Sequence, residues 1–467
     1  MLLTIQKLLY GGDGLARLPV DDASASDVDR GKDHGRGKAV FVPFVIAGEK
    51  IEASLTAQKT GFARAKIDAI VEPSPHRVDP QCLYFGQCGG CHYQHIAYER
   101  QLEIKKDILR ETLRRTAKVD FPDEIVVHAS PPWNYRNRSR LQVQTRPAFS
   151  AGYFRHASHD LLPVQQCPIS SPLINRAISV LWQHGHAGKV PEGVREIEFF
   201  ANADDSQLLV QLSCSTEVRR AAARAWAEDL TGSMAEIAGV IAFRETKPDG
   251  NRPSANKSGA NPEKLVTVGR DQLTYKTDSA SYRVSAGSFF QTNRFLTDEL
   301  VKIVTHGQSG ELALDLYAGA GLFSTALACD FRHIVSVESS QTSSADLAYN
   351  QPSNGKAAQA TTEQYLIRLQ NMQRGGASEV LPQVARRVAH RPDLAVVDPP
   401  RSGLGESVAR LLANLGAPRI TYVSCDPATL ARDLVILLAA GYRVEQLHLV
   451  DLFPQTFHLE TVTQLVR

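Results

Sequence analysis

The spacing of hydrophobic positions changes along the chain, and each change predicts a different kind of structure. Over the first seventy residues short apolar runs alternate with turns. Gly11-Gly12-Asp13-Gly14 is a strong turn signal, Ala39-Val40-Phe41-Val42 a strand, and Ala47-Gly48-Glu49-Lys50 a second turn before the apolar-alternating run 51–55. This pattern predicts a small β-barrel. From about 96 to 117 the period becomes helical, with Leu102, Ile108, Leu109 and Leu113 mostly in register. Residues 135–285 return to strand-like runs such as 140–145 and 207–212, with a helix near 217–230, and predict a mixed, β-rich region. Beyond about residue 300, apolar strands at 313–316, 334–337, 395–397, 420–423 and 444–449 alternate with helical stretches. That alternation predicts an α/β fold built on a mainly parallel sheet. Two polar segments, 21–38 and 247–264, offer almost no large apolar residue and predict mobile insertions. No repeat of fixed period is present.

Composition narrows the class without naming it. With 467 residues, 43% hydrophobic and 22% charged, the chain reads as a soluble globular protein of several domains, and the disordered, collagenous and membrane classes are excluded. The longest apolar run, 39–47, is broken by Pro43 and is under half a membrane span. No basic start followed by an apolar leader is seen, so a cytoplasmic protein is expected. Lys and Arg number 52 against 50 Asp and Glu, so any nucleic-acid contact must come from a local patch. One candidate patch runs from Arg100 to Arg146, with Arg136, Arg138 and Arg140 beside Trp133 and Tyr135.

The candidate chemistry gathers where strands end. The strand closing near Asp315 leads through Tyr317 into Gly319-Ala320-Gly321, which opens a helix, and Glu338 ends the next strand at a spacing suited to ribose hydroxyls. No Lys-Ser/Thr follows the glycines, so a P-loop is excluded, while dinucleotide and S-adenosylmethionine sites stay open. Two later strands run into Asp398-Pro399-Pro400-Arg401 and Cys425-Asp426-Pro427, with the prolines fixing the backbone after each. Open α/β sheets bind ligands at the carboxyl ends of their strands, so both tips should face one crevice. Cys425 is a candidate nucleophile there, and Glu460, polar in an apolar strand environment, a candidate general base. Cys82, Cys88 and Cys91 form Cys-X5-Cys-Gly-Gly-Cys, with Cys167 far downstream. Four thiolates suit tetrahedral zinc or a four-iron cluster, and the spacing does not choose between them. Cys214 and Cys329 read as core residues.

Together these motifs resemble the S-adenosylmethionine-dependent RNA 5-methyluridine methyltransferases, the TrmA/RumA group, over nearly the whole chain. Within that group the resemblance is greatest to the iron–sulfur enzymes that methylate uracil C5 in 23S ribosomal RNA. The motifs that carry it are Ser288-Phe-Phe-Gln-Thr-Asn293, Asp398-Pro-Pro-Arg401, the stretch from Ser424 to Asp433, and Phe453-Pro-Gln-Thr-Phe-His-Leu-Glu460. The resemblance implies a class I, Rossmann-like methyltransferase fold with an OB-like TRAM barrel over 1–73 (21–38 an insertion). It also implies a central iron–sulfur and RNA-recognition domain over 74–96 and 130–285, and a methyltransferase domain over 97–129 and 286–467. By the same resemblance Cys425 adds to uracil C6 and Glu460 removes the C5 proton. Gln291, Tyr317, Glu338 and Asp398 hold S-adenosyl-L-methionine, and Cys82, Cys88, Cys91 and Cys167 ligate a [4Fe-4S] cluster. The implied partner is RNA, with 23S ribosomal RNA favoured over transfer RNA. No membrane or obligate protein partner is evident, and a monomer is expected.

Two departures from the family pattern stand out. Residues 351–364 are Gln/Ser/Ala-rich, which leaves the adenine contact unassigned, and Asp426 replaces a common Asn beside Cys425. The competing readings are an inactive RNA-binding iron–sulfur protein and an NAD-dependent oxidoreductase. Retention of both Cys425 and Glu460 argues against the first. The missing third glycine argues against the second, which also gives Cys425 and Glu460 no role.

Overall fold

A computed structural model describes residues 1–18, 37–118, 124–245, 263–373 and 391–467. The two segments predicted to be mobile, 21–38 and 247–264, fall outside the described residues except for their last two positions. The chain divides into two compact units, one formed by Met1–Glu111 with Phe453–His458, the other by Thr112–Leu452 with Leu459–Arg467.

The first unit holds a six-stranded sheet in the order Leu2–Thr4, Lys50–Gln58, Phe62–Glu72, Ala39–Val42, Gly14–Arg17, Lys7–Leu8. Strict alternation along Ala39–Val42 sends Val40 and Val42 inward, where they meet Leu3, Ile5, Ile51 and Ala63 in one apolar core. Glu49 is buried at the edge of this sheet. Its carboxylate accepts bonds from Arg77 Nε at 2.6 Å, Arg77 Nη2 at 2.8 Å and the amides of Ile46 and Ser74, which fixes the chain as it leaves the strands.

The second unit contains two large sheets. The first has seven strands in the order Leu161–Pro163, Ser150–Phe154, Arg138–Gln144, Val194–Ala201, Leu208–Cys214, Ile237–Arg244, Glu263–Gly269. Helices Pro172–His186 and Arg220–Ser233 pack into the same core through Ile174, Ile178, Leu181, Trp226 and Leu230. Ser171 starts the first of these helices by accepting the Ile174 amide, with Pro172 in the first turn. A two-stranded ribbon, Gln272–Lys276 with Ser281–Ser285, follows.

The second sheet positions the candidate site. Its eight strands run Gly355–Gln359, Phe331–Glu338, Gly310–Leu316, Leu394–Val397, Arg419–Ser424, Glu460–Val466, Arg443–Val450, Val126–His128. The first five are parallel, and Glu460–Val466 is antiparallel to both of its neighbours. Leu394–Val397 is buried at every position, as expected for a parallel strand covered on both faces. The chain winds outward from Gly310–Leu316 in one direction and then returns to Leu394–Val397 on its other side. The strand order therefore reverses between these two neighbours, and a crevice opens beyond their carboxyl ends.

Candidate active site

At the reversal point the first strand runs into Tyr317, which sits at φ +64°, a left-handed conformation that a non-glycine residue adopts only when its surroundings enforce it. Gly321, at φ +94°, starts helix Leu322–Leu327, and a side chain there would press on Leu347 Cδ1 at 3.0 Å. Glu338 ends the adjacent strand with its carboxylate tied to this turn. Oε2 accepts the Gly319 amide at 3.0 Å and Oε1 the Ser340 amide at 2.6 Å. Beneath the turn Asp315 is fully buried, accepting the Ser324 hydroxyl on Oδ2, while its Oδ1 has no hydrogen-bond partner among the described residues. Burial pushes its carboxyl up to about 6 despite the Ser324 bonds, and the nearby Glu338 carboxylate adds to the rise.

The segment carrying Gln291 lines another side. Its polar residues are held internally: the Ser288 hydroxyl bonds Asp346 at 2.5 Å, the Gln291 carbonyl accepts Asn137 Nδ2 at 3.1 Å, and Asn293 bonds Ser130 and the Leu452 carbonyl. Gln291 itself is 8% exposed.

Strand register accounts for the meeting of Cys425 and Glu460. Ser424 pairs with Thr461 in the antiparallel ladder, and the Thr461 hydroxyl also donates to the Ser424 carbonyl at 3.1 Å, so the residue after the first strand lies beside the residue that begins the second. Two positions 35 apart in the chain are thereby set side by side. Asp426, the departure from the family's Asn, caps helix Pro427–Ala439 by accepting the amides of Ala428 at 2.9 Å and Thr429 at 3.0 Å. A carboxylate caps a helix as well as an amide does, so the exchange keeps the turn that presents the thiol.

Asp398 follows Leu394–Val397, and its amide donates to the Leu316 carbonyl at 3.3 Å, which fixes it at the reversal point. The loop beyond it is clamped. Asp433, wholly buried, accepts the Leu404 amide at 2.7 Å, the Tyr422 hydroxyl at 2.9 Å and Arg432 Nε at 2.9 Å. Thr429 holds the Arg401 carbonyl at 3.2 Å.

Three acidic groups therefore share one desolvated space. Burial pushes the Cys425 thiol up to about 12, with the carboxyls of Glu460 and Asp398 adding and Arg401 opposing. Burial, then Asp398, raises Glu460 well above the carboxylate range, again against Arg401. Asp398 rises to about 7 through burial and then through Asp315. Burial thus favours a proton on each group, and Arg401 is a cation that works against this at both Cys425 and Glu460. Arg401 stood in a quoted motif, but the sequence assigned it no role. Asp346 and Asn137 were missed because what marks them, a buried polar side chain with distant partners, is a property of the fold.

The cysteines are divided. Cys82, Cys88 and Cys91 belong to the first unit, with the Gly90 amide donating to Cys88 Sγ at 3.4 Å. Cys167 belongs to the second, its amide bound to Asn175 Oδ1 at 2.8 Å. Among the described residues no group of three or more His, Cys, Asp or Glu side chains is arranged to hold a metal ion. Four thiols are donors of the kind that suit such a cluster. One further expectation is corrected. Cys214 is buried in its strand as expected, whereas Cys329 is exposed. The Arg136–Arg140 patch is mixed, with Arg138 mostly covered, Arg136 half-buried and Arg140 exposed. Arg138 donates to the Ser288 carbonyl at 2.6 Å and lies over the Phe200 ring at 4.1 Å. Arg136 Nε bonds the Arg138 carbonyl, and Arg140 pairs with Glu198 at 2.8 Å.

A reversed parallel sheet with an antiparallel strand inserted near one edge, and reactive groups at its carboxyl ends, defines a class I methyltransferase. The comparisons make this specific: residues 97–467 match the family model for tRNA (uracil-5-)-methyltransferase, and the chain belongs to that family. It is an RNA uracil-C5 methyltransferase. It is 31% identical to an uncharacterised RNA methyltransferase of Listeria innocua, covering 92% of this chain and 93% of that one. It is 29% identical to one of Aquifex aeolicus, covering 99% and 97%. The crystal structure of Pyrococcus abyssi tRNA (uracil-54, C5)-methyltransferase with S-adenosyl-L-homocysteine shares the fold, with a TM-score of 0.69, 22% identity and full coverage of both chains.

Proposed function

We propose that this enzyme methylates C5 of a uridine in 23S ribosomal RNA through a covalent adduct on Cys425, with Glu460 as base. The observation that carries this reading is the ladder pairing of Ser424 with Thr461, which sets a thiol beside a buried carboxyl at the mouth of the crevice. Uracil C5 is a weak nucleophile, and addition of the Cys425 thiolate to C6 makes it enolate-like. S-adenosylmethionine supplies the electrophilic methyl group, and S-adenosylhomocysteine leaves. Glu460 takes the C5 proton, the C5 electrons re-form the ring double bond, and the Cys425–C6 bond breaks to return the thiolate. Because burial holds both groups protonated, the Cys425 thiol and the Glu460 carboxyl must each release a proton to solvent as the substrates bind, before the thiolate can add and the carboxylate can act as base. Arg401 and the positive charge of the methyl donor both favour that loss. Glu338 and Tyr317 suit the cofactor side of the crevice, while Gln291 and Asp398 suit its border with the uracil. The base must leave its stack to reach Cys425.

The six-stranded sheet of the first unit is proposed as the OB-like RNA-binding barrel, and Cys82, Cys88, Cys91 and Cys167 as ligands of a [4Fe-4S] cluster, with zinc the alternative. No catalytic step passes through that group. A transfer-RNA uridine is the second reading of the substrate, favoured by the shared fold with a tRNA enzyme.

Mapping 5-methyluridine in ribosomal and transfer RNA from cells with and without the gene, followed by restoration with purified enzyme, tests the substrate. Loss of one ribosomal site supports the proposal, and loss confined to transfer RNA replaces it with the second reading. Cys425→Ala should abolish turnover and capture of RNA, whereas Glu460→Gln should accumulate a denaturation-resistant RNA–protein adduct. Normal methylation by Cys425→Ala, or rapid product release by Glu460→Gln, would overturn the mechanism.

A further inference from the structure

Helix Gln341–Asn350 begins three residues after Glu338 and is unusual in burying polar side chains: Ser343 is 3% exposed and Asp346 is fully buried. Ser343, Asp346 and Asn350 lie at positions i, i+3 and i+7, which puts them on one face. That face grips the 283–289 segment. Asp346 Oδ1 accepts Arg283 Nε and the Ser285 hydroxyl, both at 2.7 Å, while Oδ2 accepts the Ser285 amide at 2.7 Å and the Ser288 hydroxyl at 2.5 Å. Asn350 Oδ1 takes the Arg283 amide at 2.8 Å. Its Nδ2 donates to the Arg283 carbonyl at 2.9 Å and to the Ala320 carbonyl, inside the glycine turn, at 2.8 Å. Ser343 Oγ accepts the Phe289 amide at 3.4 Å.

A buried carboxylate is tolerated only when its lone pairs are filled, and this one fills both oxygens twice. All four donors come from one segment, which leads within three residues to Gln291. The other end of the same helix is tied to Glu338 through the Ser340 amide. We propose that Asp346 is a positioning residue for the cofactor. It locks the 283–288 segment, and with it Gln291, to the helix anchored on Glu338, so that the two sides of the crevice keep one spacing. This rests on the reading that the crevice holds S-adenosylmethionine. An asparagine has the same shape but presents an amide to donors on one side, so at least two of the four bonds are lost.

The test is calorimetric binding of S-adenosylhomocysteine to the full-length protein, below the melting temperature of each variant. Asp346→Asn should weaken binding by about tenfold, the equivalent of losing one charge-assisted hydrogen bond. Ser288→Ala removes a single hydroxyl and leaves the Arg283 pair intact, so it should fold and show a smaller loss in the same direction. If both variants bind within twofold of wild type while melting at lower temperature, Asp346 only stabilises the fold and the proposal fails. If wild type itself does not bind S-adenosylhomocysteine, the cofactor reading fails with it.

Discussion

Replacing Asp398 with asparagine should make the purified protein more stable above neutral pH while removing its activity. In the folded protein, burial and then the neighbouring Asp315 raise the Asp398 carboxyl to about 7, from an ordinary value of 3.8. Below about pH 4 the group is neutral in both folded and unfolded chains and costs nothing. Between about pH 4 and 7 the unfolded chain releases this proton while the folded chain keeps it, so stability falls as pH rises. Above pH 7 the folded protein carries the full cost of an ionised, desolvated carboxylate, on the order of 4 kcal/mol for a shift of about three units. The residue keeps some solvent exposure, so that figure is an upper bound. Asparagine has no proton to lose and no such cost. Denaturant melts of wild type and Asp398→Asn at pH 5, 6, 7 and 8 should show a stability difference that grows in favour of the variant and levels off. Glu460 and Cys425, which the Asp398 carboxylate pushes up, move back toward their ordinary values in the variant and shift the difference in the same direction, while groups remote from the site titrate alike in both proteins and cancel. A variant no more stable than wild type at pH 8, or a difference that stays constant from pH 5 to 8, would refute the assignment of a raised carboxyl at this position.

Gly403→Ala should lower stability by about 1–3 kcal/mol in thermal melts and slow methyl transfer. Its φ is +70° and a Cβ there would meet Asp433 Oδ2 at 2.6 Å, opening the clamp that holds the Arg401 loop; unchanged melting would show that the clamp yields freely. Anaerobically purified protein should contain about four iron atoms and four acid-labile sulfides per chain, and Cys82→Ser should lose them. Stoichiometric zinc instead, or full iron retention by Cys82→Ser, would remove that ligand set.

The site was legible in the sequence where it broke local rules. A cysteine and an aspartate at strand tips, each followed by proline, cannot be read as ordinary strand continuation, and the structure puts Asp398, Cys425 and Glu460 in one space. Four of the five parallel strands were legible because burial leaves apolar runs, whereas the edge strand Gly355–Gln359, half-buried and without a large apolar side chain, carries no such signal. Helix Pro172–His186 was overlooked even though Ser171-Pro172 is a start signal, since its flanking strands dominated the pattern. For the arginine patch the partners stayed hidden for a different reason. Counting charge along Arg138–Gln144 gives no indication of what lies opposite, and register puts Arg140 across from Glu198 and Arg138 across from Phe200. Those partners lie about sixty residues further along the chain, beyond any local window. The same physics separates the two kinds of residue. A group that acts on a substrate must remain at an open strand end, where sequence grammar shows it, whereas a group that positions others must be buried among them. The role of Asp346 and the partners of Arg138 are therefore visible only once the chain has folded.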